Sequence, residues 1–457
     1  MKQTFTDFKK DFYSRVDDLS LFDCDEINLL KVVLDGLKVN YVNRGKVNAF
    51  LFLPTPVYKL FLIAKNKSSN QKQIRAIKKE ATKIIIDNGR FLKDENGKIK
   101  SLYFDNIKSL FKVSDYLYIK ENNTELIADF SLMEIISYYT YEQPSDEEER
   151  LRKQIIETFK KIRDASIFSS SELGNIKFAF HKFFQEYKVW SRFLKEYPYL
   201  KQSLFTCHYH REGQILAFKR RGVKCVEFQH GLIAEQDVFY MFPKQVAPIK
   251  SKCLFADQIM VYGKYWKDQL LEGVEYSEDQ INVIGYYHAD MNMTFPEEIA
   301  HLKSSVQNKR FILITTQTFL HKHFVKFAIE LSEYAAKNES SFVIVLKSHP
   351  AEDVSIYQNA LNSYSNIKVI SSPLPVLLSH AFSHISIYST TLFDALRFKV
   401  SNFVFKIPEC EDYVNNILRA EVATELKSFS ELFASNDNKS IDPTYFYENF
   451  HSNLISN

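Results

Sequence analysis

Apolar and polar positions fall into a regular alternation only from about residue 200. There QSLFTCHYH reads as a strand, REGQILAFKRRG as a helix closed by Gly222, and VKCVEFQHG as the next strand. KCLFADQIMVYG, YWKDQLLEGV and QINVIGYYHAD continue as strand, helix and strand, the last running toward Pro296. Strands separated by helices in this way predict a parallel sheet with right-handed crossovers. A polar, proline-containing stretch at about 290–309 reads as a linker, and the alternation then resumes. KRFILITTQ, SSFVIVLKSHP, NIKVISS, FSHISIYS and SNFVFKI are the next strands, with helical stretches such as KHFVKFAIELSEYAAKN and TTLFDALRFKV between them. The pattern predicts an α/β protein with two Rossmann-like, doubly wound parallel-sheet domains facing across a cleft. In such sheets ligands sit outside the carboxyl ends of the strands.

The first 200 residues are less regular. Short apolar runs (VNAFLFL, YKLFLIA, TKIIID, SLYFD, YLYIK) mix with Lys-rich helical stretches such as NQKQIRAIKKEA. A charge-dense segment at 141–165, acidic first and basic last, predicts a loop at Gln143 to Asp146 opening a helix whose dipole suits that order. The expected division is a first domain over 1–295 with irregular and helical elaborations, a second over 305–430, and a tail over 431–457 that is helical and packs back.

Composition narrows the chemistry. A length of 457 residues exceeds what one core usually serves. Only 11 residues are glycine, and none follows Gly285. Neither G-x-G-x-x-G nor a Walker loop can be placed on those positions, which excludes the dehydrogenases and P-loop NTPases that bring backbone amides up to phosphate through glycine. Lys and Arg number 59 against 56 Asp and Glu, far from the basic excess of a nucleic-acid binder. The five cysteines are scattered with no C-x-x-C pair, so neither a disulfide framework nor a zinc ribbon is expected. A charged, amphipathic start and the lack of any long apolar window predict neither a signal peptide nor a membrane span, and a cytoplasmic protein.

Three polar clusters stand at predicted strand ends. The first is Gln229, His230 and Gly231 after VKCVEF, where an imidazole titrating near neutrality suits a general base and Gly231 permits a tight turn. The second is Lys347, Ser348, His349 and Pro350 after SFVIVL. Lys347 and His349, two apart, share a face and together suit a phosphate, while Pro350 stiffens the strand end. The third is Ser389, Thr390 and Thr391 ahead of LFDALRF, where hydroxyls and helix-start amides serve a phosphate without glycine. Asp394 follows in the first turn. Each cluster also has a plainer reading: a backbone-bonded histidine, a strand-end turn and an N-cap. His208 and His210 lack a third ligand at metal spacing, and no metal site is expected.

His-Gly at a strand end, ADQIMVYGKYW, INVIGYYHAD, LKSHP and YSTTLFDAL together resemble the bacterial surface-polysaccharide transferases of GT-B fold. Among these are capsule glycosyltransferases and, more distantly, CDP-glycerol glycerophosphotransferases. The similarity spans roughly 200–410, and the first 200 residues add only the loose echo DNGRFLKDENGKIKSLYFD. The resemblance implies an acceptor-side first domain, a nucleotide-donor second domain, and a metal-independent, inverting glycosyltransferase. It implies His230 as base, with Lys347, His349, Ser389 and Thr390 on the donor phosphates; by position Thr391 joins that donor set, and Gln229, Gly231, Glu212, Thr316 and Asp394 are the supporting candidates. No cofactor is implied beyond the nucleotide-sugar donor (CMP- or UDP-sugar type). The acceptor is a glycan or lipid-linked glycan of capsule, O-antigen or lipooligosaccharide, reached at the inner membrane face. A CDP-polyol phosphotransferase and a non-catalytic relative within a synthesis complex are the alternatives. Leu232 departs from the Thr that usually follows His-Gly in the polyol-phosphate enzymes.

Overall fold

The computed structural model describes residues 5–42, 78–94, 96–121, 125–140, 143–292, 294–318, 320–434 and 442–455. The runs VNAFLFL and YKLFLIA and most of NQKQIRAIKKEA lie outside the described residues. Two parallel sheets organise the rest, as the alternation predicts.

The first sheet comprises β1 (Lys83–Asp87), β2 (Tyr116–Lys120), β3 (Phe130–Ser131), β4 (Gln202–Thr206), β5 (Lys224–Phe228), β6 (Gln258–Val261) and β7 (Ile281–Val283). Their order is β7-β6-β5-β4-β1-β2-β3, every pair parallel. Central strands such as KIIID and KCVEF are buried along nearly their whole length, as helix-covered parallel strands must be. Two long helices, Asp146–Asp164 and Ser170–Lys195, pack on each other and the second on helices Leu30–Val42 and Glu212–Arg220; each is opened by a capping box, Ser145 with Glu148 and Ser169 with Glu172. The loop expected at 143–146 therefore opens a helix. Arg192, almost fully buried, clamps Glu148 at 2.6 Å and donates to the Tyr139 carbonyl at 2.7 Å, tying that helix start to the next helix.

The second sheet comprises β8 (Arg310–Thr315), β9 (Phe342–Lys347), β10 (Ile367–Val369), β11 (Ser383–Ser386), β12 (Ser401–Val404) and β13 (Thr424–Glu425), in the order β10-β9-β8-β11-β12-β13, all parallel. Half of the stretch read as a linker is helix Pro296–Ser305, with Pro296 in its first turn. Its Leu302, with Val306, joins Phe311, Leu313 and Val343 in the core under this sheet, so apolar spacing prevailed over the polar average.

The segment INVIGYYHAD pairs as a strand only over Ile281–Val283. Gly285 then takes φ 82, and the C-terminal chain supplies the missing partners: Tyr286 N–H donates to Glu448 O at 2.9 Å and His451 N–H to Ile284 O at 2.8 Å. A Cβ on Gly285 would lie 2.1 Å from Asn449 O and one on Gly263 2.5 Å from Phe446 O, so both glycines admit this chain. The tail consists of short 3-10 turns, Pro443–Tyr445 and Ser452–Leu454 among them, rather than a long helix, and it packs on the first sheet's domain through Trp266, whose Nε1 donates to Phe446 O at 2.9 Å. Among the described residues no helix is long and apolar enough to cross a membrane.

Candidate active site

Strand order reverses between β4 and β1 in the first sheet and between β8 and β11 in the second. Chains leaving the carboxyl ends at such reversals diverge and open a crevice. The two crevices meet in one cleft of about 790 Å³. His230 lines it from the end of β5, Lys347 and His349 from β9, Thr316 from β8, and Ser389, Thr390, Thr391 and Asp394 from the segment after β11. Residues from three separate predicted clusters therefore share one cavity.

On the second-domain wall, the turn after β9 is braced from β8. His349 N–H donates to Thr316 Oγ1 at 2.9 Å and to Glu352 Oε2 at 3.2 Å, and the Thr316 hydroxyl itself donates to Glu352. The ring is fixed too: Ala351 N–H donates to His349 Nδ1 at 3.1 Å, which leaves the neutral ring's proton on Nε2 as a donor. Burial and the Arg90 charge hold this imidazole below its ordinary pKa. The Lys347 ammonium donates to the Ser372 carbonyl at 2.7 Å and more weakly to that of Ser371 at 3.4 Å, and burial pulls it down to about 8 against Glu298.

The hydroxyl row differs from a simple helix cap. Thr390 has helical φ and ψ, and its side chain makes no cap bond. Ser389 Oγ instead accepts from Thr391 N–H at 3.3 Å, and the Thr391 hydroxyl is bonded to Thr315 Oγ1 at 2.7 Å. Behind them Thr315 Oγ1 meets His384 Nε2 at 2.8 Å, and His384 Nδ1 meets Asn402 Oδ1 at 2.7 Å. That buried chain fixes where the row stands.

On the first-domain wall, His230 follows the end of β5 on a turn held by Gln229. The Gln229 carboxamide accepts from Tyr262 N–H at 3.0 Å and donates to Gly231 O at 3.0 Å, and Tyr287 donates to the Gln229 carbonyl at 2.8 Å. Gln229 is thus a buried brace that does not reach the cleft. Gly231 differs from its expected role: a Cβ there would meet nothing within 4 Å, and its φ is not left-handed. The His230 Nδ1 is buried with no partner among the described residues. Burial lowers this imidazole to about 4, Glu227 opposing and Arg90 adding to the effect. His230 is therefore neutral at pH 7, with its Nδ1 enclosed by protein.

Glu212 stands apart from the cleft, nearly buried at the start of helix Glu212–Arg220, 3.8 Å from Lys31. His208 also turns inward: its Nδ1 bonds Glu227 and its Nε2 bonds the Phe239 carbonyl at 2.9 Å. Neither lines the cavity: Glu212 is buried beside Lys31, and His208 beside Glu227, which Tyr240 also bonds.

Arg90 is the principal residue that sequence reasoning missed. It follows β1 on a turn in which Gly89 takes φ 83, Gly89 N–H donates to Asp87 Oδ1 at 2.8 Å and Arg90 N–H to Asn88 Oδ1 at 3.1 Å. Its guanidinium donates to the Tyr103 hydroxyl at 3.0 Å and lowers the basicity of His230, His288 and His349 alike. The signal was the Asn-Gly-Arg after TKIIID. Tyr286, His288 and Asp290 also line the cleft, with His288 Nε2 bonded to the Tyr262 hydroxyl at 2.8 Å.

No family model and no curated protein sequence matches this chain. Among solved structures, UDP-GlcNAc 2-epimerase from Neisseria meningitidis bound to UDP-GlcNAc is similar with a TM-score of 0.47 at 13% identity over 82% of this chain and 98% of that one. A glycosyltransferase from Rickettsia africae has a TM-score of 0.42 at 14% identity over 82% and 96%. The wall teichoic acid polymerase TagF has a TM-score of 0.43 at 12% identity over 90% and 92%. At these scores and identities the likenesses do not bear on activity.

Proposed function

We propose that this chain is a metal-independent, inverting glycosyltransferase that moves a sugar from a nucleotide-activated donor to a bacterial surface glycan. The observation that carries the reading is the single cleft in which Arg90 and His230 from one sheet face Lys347, His349 and the Ser389 to Thr391 hydroxyls from the other. Two fixed cations and a Nε2–H donor converge where no carboxylate pairs the Arg90 fork within its described hydrogen bonds, which suits a di- or monophosphate.

In the reaction His230 accepts the proton of an acceptor hydroxyl, whose oxygen attacks the anomeric carbon. The bond from that carbon to the phosphate oxygen breaks, and the departing charge meets the Lys347 ammonium, the His349 Nε2–H and the Thr390 hydroxyl. Nucleophile and leaving group are handled from opposite walls, and an in-line displacement of that kind inverts the centre. The neutral ring of His230, on a residue that lines the cleft, supports its role as proton acceptor. A bound phosphate would raise the ring's pKa by adding negative charge. The acceptor belongs to a lipid-linked or free surface glycan, met at the inner membrane face.

The test is a donor screen for nucleotide release with and without glycan acceptors. Turnover of a CMP- or UDP-sugar supports the reading. Consumption of CDP-glycerol or CDP-ribitol alone replaces it with a polyol phosphotransferase, and inertness toward all donors refutes it.

A further inference from the structure

The cleft holds a second titratable group that the transfer reaction as described leaves unused. Asp394 lies one turn beyond the hydroxyl row, its N–H donating to Thr390 O at 3.1 Å, and it lines the cavity. Four elements face it. Arg397 comes from its own helix and stacks over the Tyr286 ring at 3.7 Å. Asp290 and Tyr286, bonded to each other at 3.2 Å, come from the stretch after β7. Tyr447 of the C-terminal chain hydrogen-bonds the carboxyl, and Tyr103 lies close enough to feel its charge.

We propose that Asp394 is the general acid of the transfer reaction, delivering a proton to the phosphate oxygen of the departing nucleotide while His230 takes one from the acceptor. This rests on the transferase reading above. The step balances: as the anomeric C–O bond to phosphate breaks, that oxygen takes the Asp394 proton and the electron pair of the broken bond, and the acceptor proton moves to His230. The cycle ends with a carboxylate at Asp394 and an imidazolium at His230, and one proton passed through solvent from the second to the first restores both.

Placement favours this role. Asp394 stands on the wall that carries the phosphate groups, beside Thr390 and Thr391, whereas His230 stands on the other. Electrostatics separate the two in the direction the roles need. Burial pushes the Asp394 carboxyl up to about 7, with Asp290 adding to the rise and Arg397 and the Tyr447 hydroxyl opposing it, while His230 is lowered to about 4. Two titratable groups pushed apart in this way hold a proton donor and a proton acceptor at the same neutral pH.

The experiment is the pH dependence of turnover for the wild type and three variants, with nucleotide affinity measured alongside. Wild-type turnover should fall as pH rises through about 7, where Asp394 loses its proton. Asp394→Asn should lower turnover about a hundredfold or more and remove that alkaline fall, with nucleotide affinity nearly kept as evidence of folding. Asp290→Asn, which removes a charge that raises Asp394, should move the fall to lower pH, and Arg397→Gln should move it to higher pH. An alkaline fall that persists in Asp394→Asn, or that neither flanking variant moves, overturns the proposal while leaving the transferase reading intact. A wild type without turnover on any donor overturns both.

Discussion

Arg90 and His349 stand on opposite walls of the cleft, and the guanidinium of the first lowers the basicity of the imidazole of the second. Two groups that disfavour each other's protonated forms both favour a negative charge placed between them. A phosphate there turns the repulsion into two attractions. Arg90→Gln should therefore weaken nucleotide binding by about tenfold or more, since hydrogen bonds to charged groups contribute about 1.5–3 kcal/mol. Isothermal titration of the nucleotide that binds the wild type checks this, and an unchanged Kd would remove Arg90 from the site.

His230 is held by the Gln229 brace and needs no partner to keep its place. His230→Ala should then fold normally, keep nucleotide affinity and lose about 10²–10⁴-fold in turnover, the usual contribution of a positioned base. Turnover within a fewfold of wild type would assign the acceptor proton to another group.

His384 gives the protein an acid sensitivity of its own. The ring is fully buried between Thr315 and Asn402, and burial pulls it down to about 4. An unfolded imidazole titrates near 6.5, so the unfolded chain binds the proton first. Stability is then full above about 6.5 and falls as pH drops toward 4, by about 1.4 kcal/mol per pH unit for this one group. Urea melts at pH 7 and pH 5 should show a smaller difference in His384→Gln than in the wild type, and equal differences would contradict the assignment. Because Thr315 also holds Thr391, acid should disturb the hydroxyl row before the sheets separate.

Both parallel sheets, and the three clusters at their carboxyl ends, were legible because fully buried strands leave uninterrupted apolar runs whose last polar residues mark the strand end. His230, Lys347, His349 and Ser389 to Thr391 were found on that rule and do line one cleft. Arg90 was not, because β1 lies in a stretch whose neighbours give no regular alternation and its pairing with β4 joins residues more than a hundred apart in sequence. Glu212, expected in support of the site, opens its helix as predicted but pairs with Lys31 inside the protein, because nothing local marks a helix-start carboxylate as buried. The glycine that the cleft's backbone needs is Gly89, with φ 83, rather than Gly231. Left-handed φ depends on how a turn closes, which a His-Gly or Asn-Gly pair alone does not reveal. The tail's contribution of Tyr447 beside Asp394 is a long-range contact with no local signal.

On the proposed reading the facing carboxyl ends of the two sheets form a nucleotide-phosphate site. Its most direct test is calorimetric titration of CMP, CDP, UDP and GDP into the wild type and His349→Ala. One nucleotide should bind preferentially, and losing the Nε2–H donor should weaken it about tenfold, while the fold, read by circular dichroism, is kept. No binding by any nucleotide, or equal affinity in His349→Ala, would contradict it.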